Sequence, residues 1–366
     1  MTWFPAQTAP GTRASTTVLV TGGAGFIGSH TCAALLSHGH DVLVVDDFSN
    51  STPWVFSRIR KLTGRRVGAV YPLDVCDRRS LAAVFERHQV DAVVHLAARK
   101  AVGESTRMPV EYYDTNVGGT TNLLRTMHEH GVHRLVFSSS CSIYGDAGGE
   151  PLDEATPARP TNPYAASKWA CEQILADVCR RCPEFTVVSL RYFNPVGAHP
   201  SGLLGEDARG VPANLMPYLA QVAVGRLARI DVFGDDYATA DGTAVRDYIH
   251  VMDTAQAHRI ALDRIDDGPG MRVYNLGVGR GRSVLEVIAA FGDACGRPIP
   301  YRIVSRRPGD VPELVADATA VARAWGWHPT RGLADMCQDA WRFQRLNPDG
   351  YVRRQPAADR RIGAAT

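Results

Sequence analysis

The segment Tyr164-Ala-Ala-Ser-Lys168 places a phenol and an ammonium group four residues apart, directly after Pro163. Residues i and i+4 of a helix share one face. A cation one turn away pulls the pKa of a tyrosine phenol down toward neutrality, which makes Tyr164 a candidate general base at pH 7. Only three of the 40 basic residues are lysines, Lys61, Lys100 and Lys168, so a lysine here indicates chemistry that arginine cannot perform. The plain alternative is a pair of side chains on a helix surface.

Ser140 offers a hydroxyl that can act with this pair. It lies in the sequence FSSSCSIYG, residues 137–145, at the end of a short apolar run. A serine at the carboxyl end of a strand can hydrogen-bond a substrate hydroxyl or the oxyanion of a keto intermediate. Beside a bound nicotinamide, Tyr164, Lys168 and Ser140 could oxidise an alcohol group. Tyr164 would take the hydroxyl proton, and the nicotinamide would take a hydride from the same carbon. This chemistry needs no metal, and the sequence has no His or Asp cluster with ligand spacing.

Gly22, Gly25 and Gly28 form a glycine-rich turn between an apolar run and a helix-like segment. Glycines at this spacing let the chain turn tightly and let its backbone approach a pyrophosphate that rests on the N-terminus of the following helix. Because the motif has this strand–turn–helix context, it predicts a dinucleotide site and not an ordinary glycine-rich turn.

Carboxylates and small residues follow the next apolar runs. Asp46 lies 18 residues after Gly28, close to the spacing of about 20 expected for a carboxylate that binds the adenosine ribose. A carboxylate there repels a 2′-phosphate, so the sequence favours NAD over NADP. Asp74 is placed to meet the adenine edge, and the small residues after Leu96 let the backbone pass close to the cofactor.

The elements that position these residues are predicted from the alternation of apolar runs with helix-like segments. Nearly continuous Val and Leu is typical of strands covered on both faces. Strands alternating with helices indicate an α/β protein with a Rossmann-type, doubly wound parallel sheet. The predicted strands are residues 17–21, 41–45, 67–73, 92–96, 134–137 and 186–190.

The texture of the sequence changes near Phe193, after which Pro and Gly are frequent. We expect residues 1–193 to form an NAD-binding Rossmann domain, with residues 1–15 as a loose tail. We expect residues 194–352 to form mainly a smaller C-terminal α/β substrate domain over the carboxyl ends of the strands, with some segments returning to the first domain. Residues 353–366 are predicted to be a second loose tail.

Composition excludes several other classes of protein. The chain has 366 residues, 45% hydrophobic and 21% charged, with a net charge of +2. This balance gives no support for a nucleic-acid partner or a polybasic membrane protein. No apolar stretch approaches the roughly 20 residues of a membrane span, and the N-terminus lacks the apolar core of a signal peptide. Eight cysteines are too few for a disulfide scaffold, and Cys179-Arg-Arg-Cys182 reads as a helix end and not as half a zinc site. The cytoplasm is the expected location.

Several longer segments are more specific than these short motifs. They are TGGAGFIGSH (21–30), KAVGES (100–105), EYYD (111–114), RYFNPVGAHPSG (191–202), NLMPY (214–218) and VRDYIHVMD (245–253). With them the chain resembles the UDP-glucose 4-epimerase family, within the extended short-chain dehydrogenases/reductases. The resemblance runs from about Val18 to Tyr351.

The resemblance implies roles for individual residues. Tyr164 matches the catalytic base, Lys168 its partner and Ser140 the hydroxyl-binding serine. The residues expected at NAD are Gly22, Gly25, Phe26, Ile27, Gly28, Asp46, Asp47, Phe48, Ser49, Asn50, Ser51, Asp74, Val75, Leu96, Ala97, Ala98, Lys100, Thr115, Asn116, Tyr164, Lys168 and Phe193. The residues expected at the UDP-sugar are Ser140, Asn194, Asn214, Leu215, Asp231, Val232, Phe233, Arg246, Arg307, Asp310 and Leu314.

The expected UDP site also makes physical sense from its residue types. Arg246 and Arg307 offer forked donors for a pyrophosphate, Phe233 offers a flat face for uracil, and Asp310 can accept from ribose hydroxyls. Taken alone, any one of these arginines can equally be part of a surface ion pair.

The resemblance implies inversion at carbon 4 of the sugar, in both directions between UDP-galactose and UDP-glucose. Tyr164 takes the proton of the 4-hydroxyl and NAD takes the hydride from the same carbon. The 4-keto sugar turns over while its UDP stays anchored, and the hydride returns to the opposite face. The cofactor is expected to remain tightly bound. A homodimer through helices near residues 102–129 and 164–180 is also implied.

Two positions depart from the familiar pattern of the family. Thr115 stands where an asparagine is usual near the cofactor, and the neighbouring Asn116 is a candidate for that contact. Leu314 stands where the family varies from a large Tyr to a small Cys, and the volume there decides whether an N-acetyl group fits. Its intermediate size predicts good activity on UDP-galactose and weak or no activity on N-acetylated sugars.

Three alternative functions are compatible with an NAD-binding fold of this kind. A nucleotide-sugar 4,6-dehydratase needs an added acid and base, but Cys141 and Ser142 stand at those positions. A 4-epimerase for another UDP-sugar, either N-acetylated or a pentose, would use the same machinery. A non-catalytic NAD-binding regulator would not need Tyr164 and Lys168, both of which are present.

Overall fold

The computed structural model describes residues 15–148, 151–207, 212, 214–307 and 309–351. The predicted tails lie outside the described residues, except for Ser15. In the described part, the strands are β1 (Thr17–Thr21), β2 (Asp41–Val45), β3 (Ala69–Tyr71), β4 (Ala92–His95), β5 (Arg134–Ser138), β6 (Thr186–Tyr192), β7 (Asn194–Val196), β8 (Ile230–Phe233), β9 (Val245–His250), β10 (Gly270–Leu276), β11 (Gly281–Ser283), β12 (Tyr301–Val304) and β13 (Glu313–Leu314). The helices are α1 (Phe26–Ser37), α2 (Trp54–Thr63), α3 (Arg78–Arg87), α4 (Val102–Ser105), α5 (Pro109–Tyr113), α6 (Gly119–Glu129), α7 (Pro163–Arg181), α8 (Leu215–Ala223), α9 (Val251–Asp263), α10 (Val284–Cys295), α11 (Thr319–Trp325) and α12 (Leu333–Leu346).

A seven-stranded parallel sheet forms the centre of the molecule, in the order β3-β2-β1-β4-β5-β6-β10. The predicted Rossmann-type fold is confirmed. The chain runs outward from β1 in one direction through β3, then returns to β4 and runs the other way. Ligands bind at the switch point of such a sheet, outside the carboxyl ends of its strands. The last strand, β10, comes from the second half of the chain.

The strands are apolar on both faces because helices cover both sides of the sheet. Along β1, Val18 and Val20 pack into a cluster with residues of α1, α2 and α9. Leu19, which points the other way, packs with residues of α3, α6 and α7. Successive side chains of a strand alternate between faces, so continuous Val and Leu fill two cores at once. This double burial fixes the register that brings the strand ends together.

The second half of the chain builds smaller β structures beside the main sheet. Strand β9 pairs with β7, β11 and β13, and β8 pairs with β12 in a separate two-stranded ribbon. Helices α8, α10 and α12 share an apolar cluster with these strands. Among the described residues, no helix has both the length and the apolar character to cross a bilayer.

Candidate active site

The carboxyl ends of β1, β2, β4, β5 and β6 lead directly into the predicted site. Each strand is followed within two residues by one of the predicted side chains or turns, because parallel strands end at the same edge of a sheet. These residues are Gly22, Asp46, Leu96, Ser140 and Phe193.

The glycine turn is shaped as a cradle for a phosphate group. Gly22 has a φ of 69°, and a Cβ at this position would lie 2.7 Å from the backbone nitrogen of Ala97. A Cβ on Gly28 would collide with the carbonyl oxygen of Gly22. The N-cap of α1, Gly25, has no side chain to cap the helix, and the first turn holds no acidic residue. The first N–H groups of α1, around Phe26 and Ile27, are therefore left for an anion.

Asp46 organises the loop that follows β2. Its carboxylate accepts hydrogen bonds from the Ala24 nitrogen at 2.9 Å, the Phe48 nitrogen at 3.0 Å and the Ser51 hydroxyl at 2.6 Å. Phe48 has a positive φ of 56°, which only the fixed turn sustains. Asp47 caps the same turn by accepting from the nitrogen of Ser49 at 2.9 Å. The loop thus joins the glycine cradle to the segment predicted at the ribose.

The other residues predicted at the adenosine and nicotinamide halves line the same edge. Asn50 is exposed, Asp74 is exposed and accepts from the Cys76 nitrogen at 2.8 Å, and Val75 is buried. The Leu96 nitrogen donates to Thr21 O at 3.0 Å, which holds the segment through Ala97 and Ala98 beside the cradle.

The proposed catalytic side chains meet at the start of α7. Asn162 caps this helix through the Ala165 nitrogen at 2.9 Å, and Tyr164 and Lys168 follow on one buried face. The Ser140 side chain interacts with the phenol of Tyr164, and the Ser140 hydroxyl donates to Ser142 Oγ at 3.1 Å. Lys168 Nζ donates to the Ser138 carbonyl at 2.8 Å. The structure therefore brings the three predicted groups together.

The electrostatics of this centre differ from the expectation. Burial raises the pKa of the Tyr164 phenol to about 12, and interaction with the Ser140 side chain offsets this only in part. Burial also lowers the pKa of Lys168 to about 8. The predicted downward shift of the tyrosine pKa was therefore wrong for the protein alone. The reason is that both groups lose water, and the ammonium group donates to Ser138.

Asn116, Thr115 and Lys100 have protein partners in this structure. The Asn116 side chain bonds the backbone of Arg99 in both directions, at 2.8 and 3.1 Å, and donates to the Ser167 hydroxyl at 2.8 Å. Thr115 Oγ1 accepts from Arg99 Nε at 3.4 Å. Lys100 pairs with Glu206 at 3.0 Å. Asn116 thus connects the loop after β4 to helix α7.

The apolar wall beside the centre contains Phe193 and Leu314. They belong to one buried cluster with Cys141, Tyr144 and Val311. Leu314 lies in β13, in register with Arg246 of β9. The position predicted to set sugar specificity therefore shares a buried cluster with the predicted neighbour of the nicotinamide.

A second group of predicted residues lies where the β8–β12 ribbon meets β9. Arg307 Nε donates to Asp310 at 2.9 Å, and the Arg307 guanidinium lies 4.6 Å from the centre of the Phe233 ring. Tyr237, which the sequence analysis missed, interacts electrostatically with Arg246, Arg307 and Asp310. Its buried hydroxyl has no hydrogen-bond partner among the described residues. This cluster combines two arginines, a carboxylate and two aromatic rings.

The remaining predicted substrate residues lie on β7, on β8 and at the start of α8. The side-chain amide oxygen of Asn194, Oδ1, is buried and has no hydrogen-bond partner among the described residues. Asn214 is the N-cap of α8 and donates to Glu206 at 3.2 Å, and Leu215 begins that helix. Val232 is buried in β8. Asp231 uses its carboxylate to pair with Arg302, at 2.6 and 3.2 Å.

The sequence analysis also missed a buried ion pair that contacts Ser139, the residue before Ser140. Glu172 and Arg191 form a two-pronged pair, with an Arg191 Nη2–Glu172 Oε2 distance of 2.6 Å. The Ser139 hydroxyl donates to the same carboxylate at 2.5 Å, and Arg191 donates to the Tyr144 hydroxyl at 3.0 Å. Only the i, i+4 spacing from Lys168 to Glu172 hinted at it.

Comparison with known proteins places this geometry in a family. The sequence model of the NAD dependent epimerase/dehydratase family matches residues 18–277. The chain belongs to this family. It is 48% identical over 334 residues to UDP-glucose 4-epimerase of Bacillus subtilis (strain 168), covering 91% of this chain and 98% of the relative. The mouse (Mus musculus) UDP-glucose 4-epimerase is 49% identical over 341 residues, covering 91% and 98%.

Solved structures agree with the sequence comparison. The crystal structure of UDP-glucose 4-epimerase from Bifidobacterium longum, in complex with NAD+ and UDP, superposes with a TM-score of 0.89. It is 51% identical and covers 92% of this chain and 100% of that one. The resemblance to the UDP-glucose 4-epimerase family is confirmed. Membership of an NAD-dependent family makes NAD the cofactor, and the glycine cradle, the uncapped start of α1 and Asp46 fit it.

Proposed function

We propose that this chain interconverts UDP-galactose and UDP-glucose by inverting carbon 4 of the sugar. The observation that carries the proposal is the meeting of Tyr164, Ser140 and Lys168 at the strand ends next to the glycine cradle. An alcohol held there would face a proton acceptor and a hydride acceptor at once. Family membership, and relatives that are themselves UDP-glucose 4-epimerases, support the same reaction.

Each catalytic side chain has one role in the proposed reaction. Bound NAD supplies reversible hydride transfer at carbon 4. Tyr164 accepts the proton of the 4-hydroxyl and later returns it to the same oxygen. The 4-hydroxyl is then restored with inverted configuration at carbon 4. Ser140 donates a hydrogen bond to the oxygen on carbon 4. Negative charge develops on this oxygen as the hydroxyl proton leaves. Lys168 supplies a positive charge from within the fold to favour the phenolate.

The raised pKa of Tyr164 sets a requirement on this mechanism. A phenol with a pKa of about 12 is almost fully protonated at pH 7. Positive charge near the ring must offset the cost of burial before the tyrosine acts as a base. Lys168 is the cation that this chain contributes at that face, one helical turn away.

UDP is proposed to bind at the cluster of Arg246, Arg307, Phe233 and Asp310. Two guanidinium groups suit a pyrophosphate, and the ring of Phe233 suits a flat base. The unpartnered oxygen of Asn194 is a further group that a ligand can satisfy. Binding UDP away from carbon 4 leaves the sugar free to turn over between hydride transfers.

The other parts of the proposal concern sugar range, assembly and location. Leu314 is buried in the same apolar cluster as Phe193, so the pocket is proposed to favour sugars without an N-acetyl group. A 4-epimerase for another UDP-sugar remains the second candidate. A homodimer is proposed through the helices near residues 102–129 and 164–180. The exposed apolar side chains of Val110 and Tyr113, 66% and 42% exposed, support the first of these. The cytoplasm remains the proposed location.

Tyr164→Phe tests the proposed role of the phenol. Loss of the proton acceptor should lower kcat by about 10²- to 10⁴-fold, while the bound nucleotide content stays the same. Tyr301→Phe is the matched control, because Tyr301 is exposed on the β8–β12 ribbon. Turnover of the Tyr164 variant at the control's rate would remove the phenol from the mechanism. Turnover would be followed as formation of UDP-glucose from UDP-galactose.

A further inference from the structure

Three side chains with metal-binding atoms converge at the edge of the sheet opposite the catalytic centre. His128 lies in the last turn of α6, His133 directly precedes β5, and Glu184 lies two residues before β6. One ligand atom of each lies within 4.8 Å of the others. Strand β5 separates them from Ser140, a distance of roughly 20 Å at about 3.3 Å per residue.

The two imidazoles are held by a common apolar support. The rings of His128 and His133 lie 6.1 and 4.9 Å from the ring of Phe185, which is fully buried. The nitrogen of Thr186 donates to the His133 carbonyl at 2.8 Å, which fixes the backbone between the two strands. The half-buried His133 ring is therefore oriented before any ligand arrives, and this lowers the entropic cost of binding.

The local charges favour a cation at this position. Helices α6 and α7 both end at this edge, and the carbonyl end of a helix carries partial negative charge. Glu184 adds a full negative charge. Two of the cations near this edge, Arg78 and Arg180, are paired with Glu129 and Asp177.

We infer that His128, His133 and Glu184 form a binding site for one divalent transition-metal ion, with Zn²⁺ the best fit. Two imidazole nitrogens and one carboxylate oxygen are a donor set that Zn²⁺ accepts, with water completing a tetrahedron. Ligand bonds of about 2.0–2.1 Å require donor atoms roughly 3.3 Å apart. Since His128 and Glu184 are exposed, they can rotate to close that distance.

The site departs from the expectation drawn from sequence spacing, which indicated no metal cluster. Glu184 is brought to the two histidines by the parallel pairing of β5 and β6, and chain spacing cannot show that. A bound ion would join the end of α6, the start of β5 and the α7–β6 connection. It would stabilise the fold by cross-linking these segments and would take no part in the proposed reaction.

Isothermal titration of Zn²⁺ into the NAD-loaded protein tests the site. We expect one equivalent to bind, and His133→Ala or Glu184→Gln to weaken binding by about tenfold or more. His130→Ala is the matched control, because His130 belongs to the same HEHGVH segment but bonds the Thr126 carbonyl at 2.9 Å. Mg²⁺, which prefers oxygen ligands, should not bind there.

Two further readouts make the test decisive. The absorption spectrum of Co²⁺ bound in place of Zn²⁺ should show nitrogen and oxygen ligands without a thiolate charge-transfer band. Turnover of UDP-galactose should be the same with and without the metal. Unchanged Zn²⁺ affinity in folded His133→Ala, a thiolate band that places the ion on Cys179 or Cys182, or no bound equivalent would each overturn the proposal. Circular dichroism and NAD content establish that each variant is folded.

Discussion

Glu172→Gln should lower the free energy of unfolding by about 3–5 kcal/mol, since it leaves a buried charge without its counter-ion. The Glu172 carboxylate accepts from Arg191 Nε at 3.0 and 3.2 Å and from Nη2 at 2.6 Å. The hydroxyls of Ser139 and Ser189 donate to the same carboxylate at 2.5 and 3.0 Å. The two charged side chains are only 2% and 6% exposed, so water cannot replace the lost charge. Natural domains have a total stability of about 5–15 kcal/mol, so this loss is a large share.

The effect should reach the catalytic loop as well as the fold. Ser139, which donates to Glu172, directly precedes Ser140, and Glu172 lies one turn after Lys168 on the buried face of α7. Movement of this carboxylate shifts both the hydroxyl and the ammonium group. We therefore expect kcat to fall in the variant under conditions where it is still folded.

Urea unfolding followed by circular dichroism measures the stability change. Asp177→Asn is the matched control on the same helix, because Asp177 and its partner Arg180 are exposed, and it should cost less than about 1 kcal/mol. In the double variant Glu172→Leu/Arg191→Met, replacing both charges should cost less than the sum of the two single changes. A loss in Glu172→Gln as small as in Asp177→Asn would refute the reasoning.

Two further predictions concern acid stability and sugar range. Burial lowers the pKa values of His30 and His95 to about 3. Below about pH 6.5 the unfolded chain binds protons on these groups and the folded chain does not. The free energy of unfolding should therefore fall by about 1.6 kcal/mol for each histidine between pH 6.5 and pH 5. Urea midpoints at pH 7 and 5 check this, and equal midpoints would contradict it. Leu314→Ala enlarges the apolar wall, so the kcat/KM ratio of UDP-N-acetylgalactosamine to UDP-galactose should rise about tenfold or more. Equal kcat/KM for both sugars in the unsubstituted protein would show that Leu314 does not exclude the N-acetyl group.

The fold could be predicted from sequence because its signals are local. The continuous Val and Leu residues of β1 indicate a strand that is buried on both faces. Gly22 and Gly28 indicate a tight turn in which a larger residue would collide with the backbone. Element ends were less certain. The sequence predicts the third strand over residues 67–73, but it spans Ala69–Tyr71, because Pro72 has no N–H to continue the ladder.

Features that depend on packing between distant segments could not be predicted. Glu172 and Arg191 meet because α7 lies on β6, and Tyr237 reaches the arginine cluster through the β8–β9 connection. The sign of the Tyr164 pKa shift depends on burial, which the spacing to Lys168 does not reveal. Motif spacing identifies which groups take part, whereas their ionisation depends on the whole fold.

Proton NMR of purified protein with UDP-galactose, with no cofactor added, tests the central claim most directly. The account predicts that UDP-glucose forms up to a fixed equilibrium ratio, because NAD travels with the protein and is not consumed. It also predicts that the same ratio is reached from UDP-glucose. UDP-galactose that stays unchanged, both without cofactor and after addition of NAD, would contradict the proposed reaction.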